Sequence, residues 1–338
     1  MIKTGLKALG KIVVSGILAF IFLTLFCFFY YNIPAHIANR DGSTDYKWEA
    51  NTFYSRGTEG FAWGKTNNDG FTNMFDYDDD MKIDVLIMGS SHMEAYQVDM
   101  SQSTASRLNA MLKNETVYNI GVASHTFLIC ESNLRAALDK YHPTKYVVID
   151  TSSISFSDEA LTRAINGETA NLPSYDGGIV YLLQKNPFLR RIYSQIKVYS
   201  NLQAKNAEAS DDTEASEDIV VTEDNKKLLA KVLQKISSLA EEYDTKVIIV
   251  YHPRAKIAYN GDMSFNVKEN AVAQFKNSCD ENGIIFLDMS NRFKEEYESS
   301  YTLSHGFSNT AIAKGHLNQY GHAMIADELY HLISEEEQ

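Results

Sequence analysis

The run Ile83-Asp84-Val85-Leu86-Ile87-Met88 is apolar, rich in branched side chains, and stops at Gly89-Ser90-Ser91. It reads as a buried strand ending in a tight turn. Comparable runs recur at 116–120, 146–150, 246–251 and 284–288. Segments with helical spacing lie between and after them, at 102–112, 129–141, 223–243, 267–282 and 323–334. Strands alternating with helices predict an α/β fold, a three-layer α/β/α sandwich around a mostly parallel five-stranded sheet. In such folds, groups at the carboxyl ends of the strands face the crevice where ligands bind. Ser91 is therefore predicted at an exposed, rigid edge, where a nucleophile is useful.

Ahead of the sheet, Lys3, Lys7 and Lys11 precede residues 12–31, a stretch without charge and rich in Ile, Leu and Phe. About 20 such residues cross a bilayer as a helix. A secretory signal has an apolar core of only about 7–15 residues, and Ala35 and Ala38 are wrongly spaced for cleavage. The stretch reads as an uncleaved transmembrane signal anchor. Lysines on its amino-terminal side place residues 1–11 in the cytoplasm and the rest outside, as a single-pass cell-membrane protein. The net charge of −13 excludes nucleic acid, and docking on anionic lipid by charge, because both demand basic surface. Cys27 lies in the apolar span; Cys130 and Cys279 read as buried free thiols, not a disulfide framework.

Residues 32–80 form an extracytoplasmic lead-in of poor periodicity, too rich in Tyr, Phe and Trp for disorder. The catalytic domain spans 81–338 and carries an insertion at about 155–222, whose stretch 206–218 is acidic and of low complexity. Residues 179–202, amphipathic with Arg190, Arg191 and Lys197, fit either a lid over the crevice or a helix on the sheet edge.

The second chemical signal is Gly315-His316-Leu317-Asn318-Gln319-Tyr320-Gly321-His322, beginning near the close of the domain. A strand-end serine and a distant loop histidine can meet in space, since such sites are defined by geometry and not by order. Alone, Ser90 or Ser91 would read as a helix cap and His316 as a loop histidine bonded to backbone. Together with Asn119-Ile120-Gly121, these blocks resemble those of the SGNH (GDSL-like) hydrolase and O-acyltransferase superfamily, in its membrane-anchored bacterial form. The resemblance runs from about residue 83 to 332, outside the insertion. It implies Ser91 as nucleophile, His316 as general base, and the N–H groups of Ser91 and Gly121 as oxyanion donors.

Two departures stand out. The stretch Val148-Ile149-Asp150-Thr151-Ser152-Ser153 lacks the family's oxyanion asparagine, leaving Thr151 or Ser152 as stand-ins. Ala313 occupies the place of the acid that orients the histidine, so Asp288, at the end of the last strand, becomes the candidate, with helix capping as its plain alternative. His92, Arg254 and Asn318 are candidate substrate-binding residues, and His322 reads as structural. No metal-ligand spacing or phosphate loop stands out, so neither metal nor cofactor is expected. The resemblance implies a serine esterase or O-acyltransferase acting on acyl, chiefly acetyl, esters of cell-surface polysaccharide. The substrate is an acylated glycan or small acyl ester, and the partner a multi-span membrane acyl-transfer protein. The competing expectation is a catalytically impaired domain serving as a glycan-binding or assembly factor.

Overall fold

The apolar runs become the strands of one parallel sheet. The computed structural model describes residues 2–34, 36–37, 47–168, 183–196, 222–265, 267 and 269–336. Its amino-terminal helix α1 (Ile2–Tyr30) leads into a three-stranded antiparallel sheet of β1 (Tyr31–Asn32), β4 (Phe53–Arg56) and β5 (Ala62–Lys65), with β2 (His36–Ile37) pairing β3 (Lys47–Trp48). The main body then runs β6 (Val85–Met88), α2 (Ser91–Glu94), α3 (Thr104–Met111), β7 (Val117–Asn119), α4 (Phe127–Tyr141), β8 (Tyr146–Thr151) and α5 (Asp158–Ile165). It continues through α6 (Glu223–Glu242), β9 (Lys246–Tyr251), the hairpin β10 (Ala255–Ile257) and β11 (Met263–Phe265), α7 (Glu269–Glu281), β12 (Ile285–Asp288), α8 (Ser290–Ser300) and α9 (Gln319–Glu336). The central sheet has the order β12-β9-β8-β6-β7, every pair parallel. The predicted three-layer class stands.

Alternation along each strand splits the core in two. Leu86, Met88, Val147, Ile149, Val247 and Ile249 face α4, α6 and α7. Their neighbours Val85, Ile87, Val148, Ile248 and Val250 face α3, α8 and α9. Both faces are covered, as a parallel sheet requires. Cys27, Cys130 and Cys279 are all buried free thiols.

Residues 4–30 of α1 form a helix long and apolar enough to cross a membrane. Its last carbonyls, which no helix can satisfy internally, are capped by the β4–β5 hairpin. Ser55 Oγ donates to Phe28 O at 2.9 Å, Trp63 Nε1 to Phe29 O at 3.0 Å and Gly57 N to Tyr30 O at 2.7 Å. Gly57 is needed there, because a Cβ would lie 2.6 Å from the Tyr30 ring. Within the described part of the insertion, a helix over 187–196 follows Asn186. Phe188 meets Phe20 edge-on at 5.9 Å, Asn186 Nδ2 donates to Thr24 Oγ1 at 3.3 Å and Arg190 Nη2 to Pro34 O at 2.7 Å. This segment thus lies against α1 and the lead-in, and is neither the expected lid nor the sheet-edge helix. The acidic stretch 206–218 lies outside the described residues.

The lead-in is fastened to the main body by Asp69. Its carboxylate accepts from Lys47 Nζ at 2.8 Å, Lys140 Nζ at 2.7 Å and Tyr141 Oη at 2.5 Å. Burial opposes its charge, but the bonds from Lys140, Lys47 and Tyr141 outweigh that and hold the carboxyl below its ordinary range. Asp69→Asn is expected to cost about 1–3 kcal/mol of stability, the worth of hydrogen bonds to a charged group. A depressed carboxyl contributes fully above its unfolded pKa and loses its contribution as pH falls through the folded one. Urea unfolding of the detergent-solubilised chain should therefore show the gap between wild type and variant at pH 7 closing in strong acid.

Candidate active site

The turn that carries Ser91 is built around a buried carboxylate. Asp150, at the end of β8, accepts from Ser90 N at 2.6 Å, Ser90 Oγ at 3.2 Å and His252 Nε2 at 2.8 Å. Its Oδ1 lies 1.6 Å from where a Cβ on residue 89 would sit, which is why Gly89 ends the strand. Ser90 is the cap of α2, its Oγ accepting from His92 N at 3.3 Å. Capping thus falls to Ser90, and Ser91 is left to face outward. Ser91 N–H belongs to the first turn of α2, where helical donors lack intrahelical acceptors.

Ser91 Oγ and His316 Nε2 are 2.8 Å apart, and His316 Nδ1 is 2.8 Å from Glu59 Oε2. The other carboxylate oxygen, Oε1, accepts from His316 N at 2.6 Å. Serine, histidine and carboxylate are thus joined in one line, with Nδ1–H on the acid and the Nε2 lone pair toward the serine, the arrangement of a general-base triad. The side chains of His316 and Glu59 keep 22% and 16% of their exposure, so the site is open to a substrate. Burial would raise the Glu59 pKa, but the hydrogen bonds and charge of His316, with Arg56 beyond, outweigh it and hold the carboxyl low. Glu59 lies in the β4–β5 turn. Asn309 clamps that turn, with Nδ2 on Gly57 O and Gly60 O at 3.0 Å each and Oδ1 accepting from Gly60 N at 2.9 Å.

Glu59 replaces Asp288 as the orienting acid. Asp288 caps α8 instead, its Oδ1 accepting from Ser290 N at 2.9 Å and Ser290 Oγ at 2.5 Å. Gly315 carries the one local trace of Glu59: its φ is +110° and a Cβ would fall 2.2 Å from Glu59 Oε1.

Gly121 is also reassigned. Its N–H donates to Asn119 Oδ1 at 3.0 Å, so it is spent within the turn after β7. Val122 N–H goes to Gly89 O at 2.9 Å and Ala123 N–H to Glu94 Oε1 at 2.9 Å. Ser124, the next residue, is exposed with φ +71°. Thr151 Oγ1 is engaged with the backbone of Ser153, donating to its O and accepting from its N, while Ser152 is exposed. Asn318 is a structural cap: its Nδ2 donates to Leu303 O and Gly306 O, and its Oδ1 accepts from Tyr320 N and Gly321 N. Arg254 is exposed beyond β9. His322 is structural as expected, with Nδ1 accepting from Thr104 N at 3.2 Å.

His92 does not open onto the crevice; it is buried among histidines. Its ring lies 4.6 Å from His252, 5.5 Å from His305 and 5.1 Å from His316. Ring nitrogens of His92, His252 and His305 all fall within 4.8 Å of one another, a cluster the sequence spacing did not reveal. Leu317 N–H donates to His92 Nδ1 at 3.1 Å, which puts the His92 proton on Nε2. His252 Nδ1 and His305 Nε2 remain as buried nitrogens without a partner. The N–H on His92 Nε2 makes the three a poor ligand set for a cation. The burial of His92 and His305, with neighbouring histidines adding to it, holds both well below their ordinary pKa.

Two outcomes follow from these charges. Glu59→Ala is expected to lower kcat by roughly 10²–10⁴ with a small change in KM, since the histidine loses its tautomer lock while Ser91 stays in place. Steady-state turnover of a soluble aryl ester reads this. Separately, burial holds His125 down at about 4 and His322 at about 3, beside the lowered His92 and His305. Below the unfolded pKa of about 6.5 the unfolded chain takes up protons these groups refuse, so their contribution falls as pH drops. Glu94, pushed up by burial to about 7 despite hydrogen bonds from Ala123 N and Trp48 Nε1, works in the opposite direction between about 7 and its ordinary range. Glu131, also raised by burial, works the same way as Glu94, so four lowered histidines oppose two raised carboxyls. Urea midpoints should decline from pH 6.5 to 4, and a flat or rising profile would contradict the lowering of His92, His125, His305 and His322.

No family model matches the sequence, and no curated protein matches it. Solved structures with a similar course of chain include esterases and lipolytic proteins of the G-D-S-L family. An acetyl xylan esterase is 12% identical and covers 74% of this chain and 99% of its own, with a TM-score of 0.42. A lipolytic protein of the G-D-S-L family from Veillonella parvula is 15% identical, covering 74% and 97%, with a TM-score of 0.42. A psychrotrophic esterase from Pseudoalteromonas is 12% identical, covering 74% and 96%, with a TM-score of 0.37. These are likenesses; the chemistry is read from Ser91, His316 and Glu59.

Proposed function

We propose that this chain is a membrane-anchored serine enzyme that cleaves or transfers acyl esters through a Ser91 acyl-enzyme. The observation that carries the proposal is the line Ser91 Oγ–His316 Nε2–Glu59, with both links at 2.8 Å. Ser91 Oγ bonds to the acyl carbon as its proton passes to His316 Nε2. The carbonyl oxygen takes the negative charge against the Ser91 N–H, a kind of donor worth on the order of 3 kcal/mol in the transition state. Collapse expels the alkoxide, which takes the proton from His316. Water or a sugar hydroxyl then gives its proton to His316 and attacks the acyl carbon, and collapse releases Ser91, whose Oγ takes that proton back. Glu59 stays ionised throughout and stabilises the imidazolium.

The acyl group proposed is acetyl and the acceptor or donor a cell-surface polysaccharide, served by a multi-span membrane acyl-transfer partner. These follow from the block resemblance together with the apolar helix α1, read as an anchor with the domain outside the cell membrane. Capping of the last α1 carbonyls by the hairpin supports retention of the helix, because cleavage would strip three partners from the arm that carries Glu59. The reading of an impaired, purely binding domain rested on two absences, an orienting acid and an oxyanion asparagine; Glu59 answers the first.

A serine-directed fluorophosphonate should label the wild-type chain and leave Ser91→Ala unlabelled, with p-nitrophenyl acetate turnover lost in parallel. Equal labelling of the two would remove Ser91 from the mechanism.

A further inference from the structure

The arm that carries Glu59 also carries exposed aromatic surface that no part of the described chain covers. Along β5 and the residue before it, Phe61 and Trp63 are 67% and 49% exposed, while Ala62 between them is buried. Their rings lie 5.7 Å apart, and Trp63 lies 6.2 Å from Phe29 at the end of α1. Phe29 is itself exposed and Phe28 stacks on Phe53 at 4.8 Å, so the aromatic surface continues that of the helix. The helix over 187–196 adds a second apolar surface against α1. Phe188 reaches back to Phe20, Ile192 and Ile196 are 40% and 62% exposed, and Arg190 and Arg191 reach the other way, to Pro34 O and the Tyr31 ring. Phe188 directed back along α1, guanidinium groups directed toward its outer end and exposed isoleucines beside them fit an interfacial amphipathic helix with snorkelling arginines.

We propose that the β4–β5 edge bearing Phe61 and Trp63, with helix 187–196, is seated in the headgroup layer of the bilayer that α1 crosses. The triad then works at that surface, on acyl esters presented there. The proposal rests on reading α1 as a membrane anchor. Trp and Tyr favour the boundary because their rings are apolar and their N–H or O–H groups polar. A chain with charge −13 gains little from anionic lipid, so the contact is apolar and needs only zwitterionic headgroups. The register fixes the height of the site. Tyr31 pairs with Arg56, and Glu59 is three residues beyond Arg56, within about 10 Å of chain. An ester held far from the membrane lies beyond such a site, whereas a lipid-borne ester or one delivered by a membrane protein reaches it.

The test uses the full chain in phosphatidylcholine proteoliposomes, with and without lipid brominated near the top of its acyl chains. Trp48 and Trp63 are the only tryptophans, and Trp48 is buried with Nε1 donating to Glu94. The Trp63 emission, taken as the difference between wild type and Trp63→Phe, is expected to be lost in brominated lipid and insensitive to acrylamide. Should Trp63→Phe fail to fold, Ile196→Trp provides an added emission with the same expectation. Phe61→Ser is expected to keep its p-nitrophenyl acetate turnover and to lose turnover of an acyl ester dissolved in the vesicles. Emission that is equal in brominated and plain lipid and quenched by acrylamide would overturn the proposal and leave the surface free for a protein partner. Quenching reads position and not chemistry, so a chain that fails to react with a fluorophosphonate leaves this result standing.

Discussion

Both oxygens of the Glu59 carboxylate are spent on His316, one on its backbone N–H and one on its ring. That double contact is what turns a strand-end serine and a loop histidine into a reactive pair. It fixes the ring plane and the tautomer together, so the Nε2 lone pair meets Ser91 Oγ without search. Much of the surrounding structure serves it. Asn309 holds the turn that carries Glu59, Gly315 makes room for the carboxylate, and Asp150 sets the backbone from which Ser91 projects.

The same contact ties the chemistry to the amino-terminal helix. The hairpin bearing Glu59 caps three carbonyls at the end of α1, so the acid on His316 and the membrane-spanning candidate form one welded unit. The carboxylate of Asp69 and the Glu94 bond to Trp48 fasten this unit to α4 and α2. An orienting acid contributed from before the sheet makes the lead-in part of the site, and not merely a tether.

The sheet was legible because buried parallel strands are apolar on both faces, and each of the five runs is bounded by a break in hydropathy. Ser91 and His316 were legible because glycines and strand ends frame them. Glu59 was not. It sits in a stretch without periodicity, and its role depends on a contact 257 residues away in sequence. Gly315 hinted at a close approach but not at what approaches. Asp288 misled because a strand-end aspartate looks the same whether it orients a histidine or caps a helix, and here it caps α8. Gly121 misled for a related reason: a glycine after a strand suggests a free N–H, whereas Asn119 claims it. The histidine cluster was invisible for want of any local spacing, since His92 lies in α2, His252 just after β9 and His305 between α8 and α9.

The central claim is that Glu59 acts only through His316, and a double-mutant cycle on kcat/KM tests it most directly. Groups that act as one unit are strongly non-additive. Glu59→Ala is expected to cost wild type heavily and to cost His316→Ala almost nothing. Equal losses in the two backgrounds would show that Glu59 acts by some other route, and the triad would reduce to a dyad.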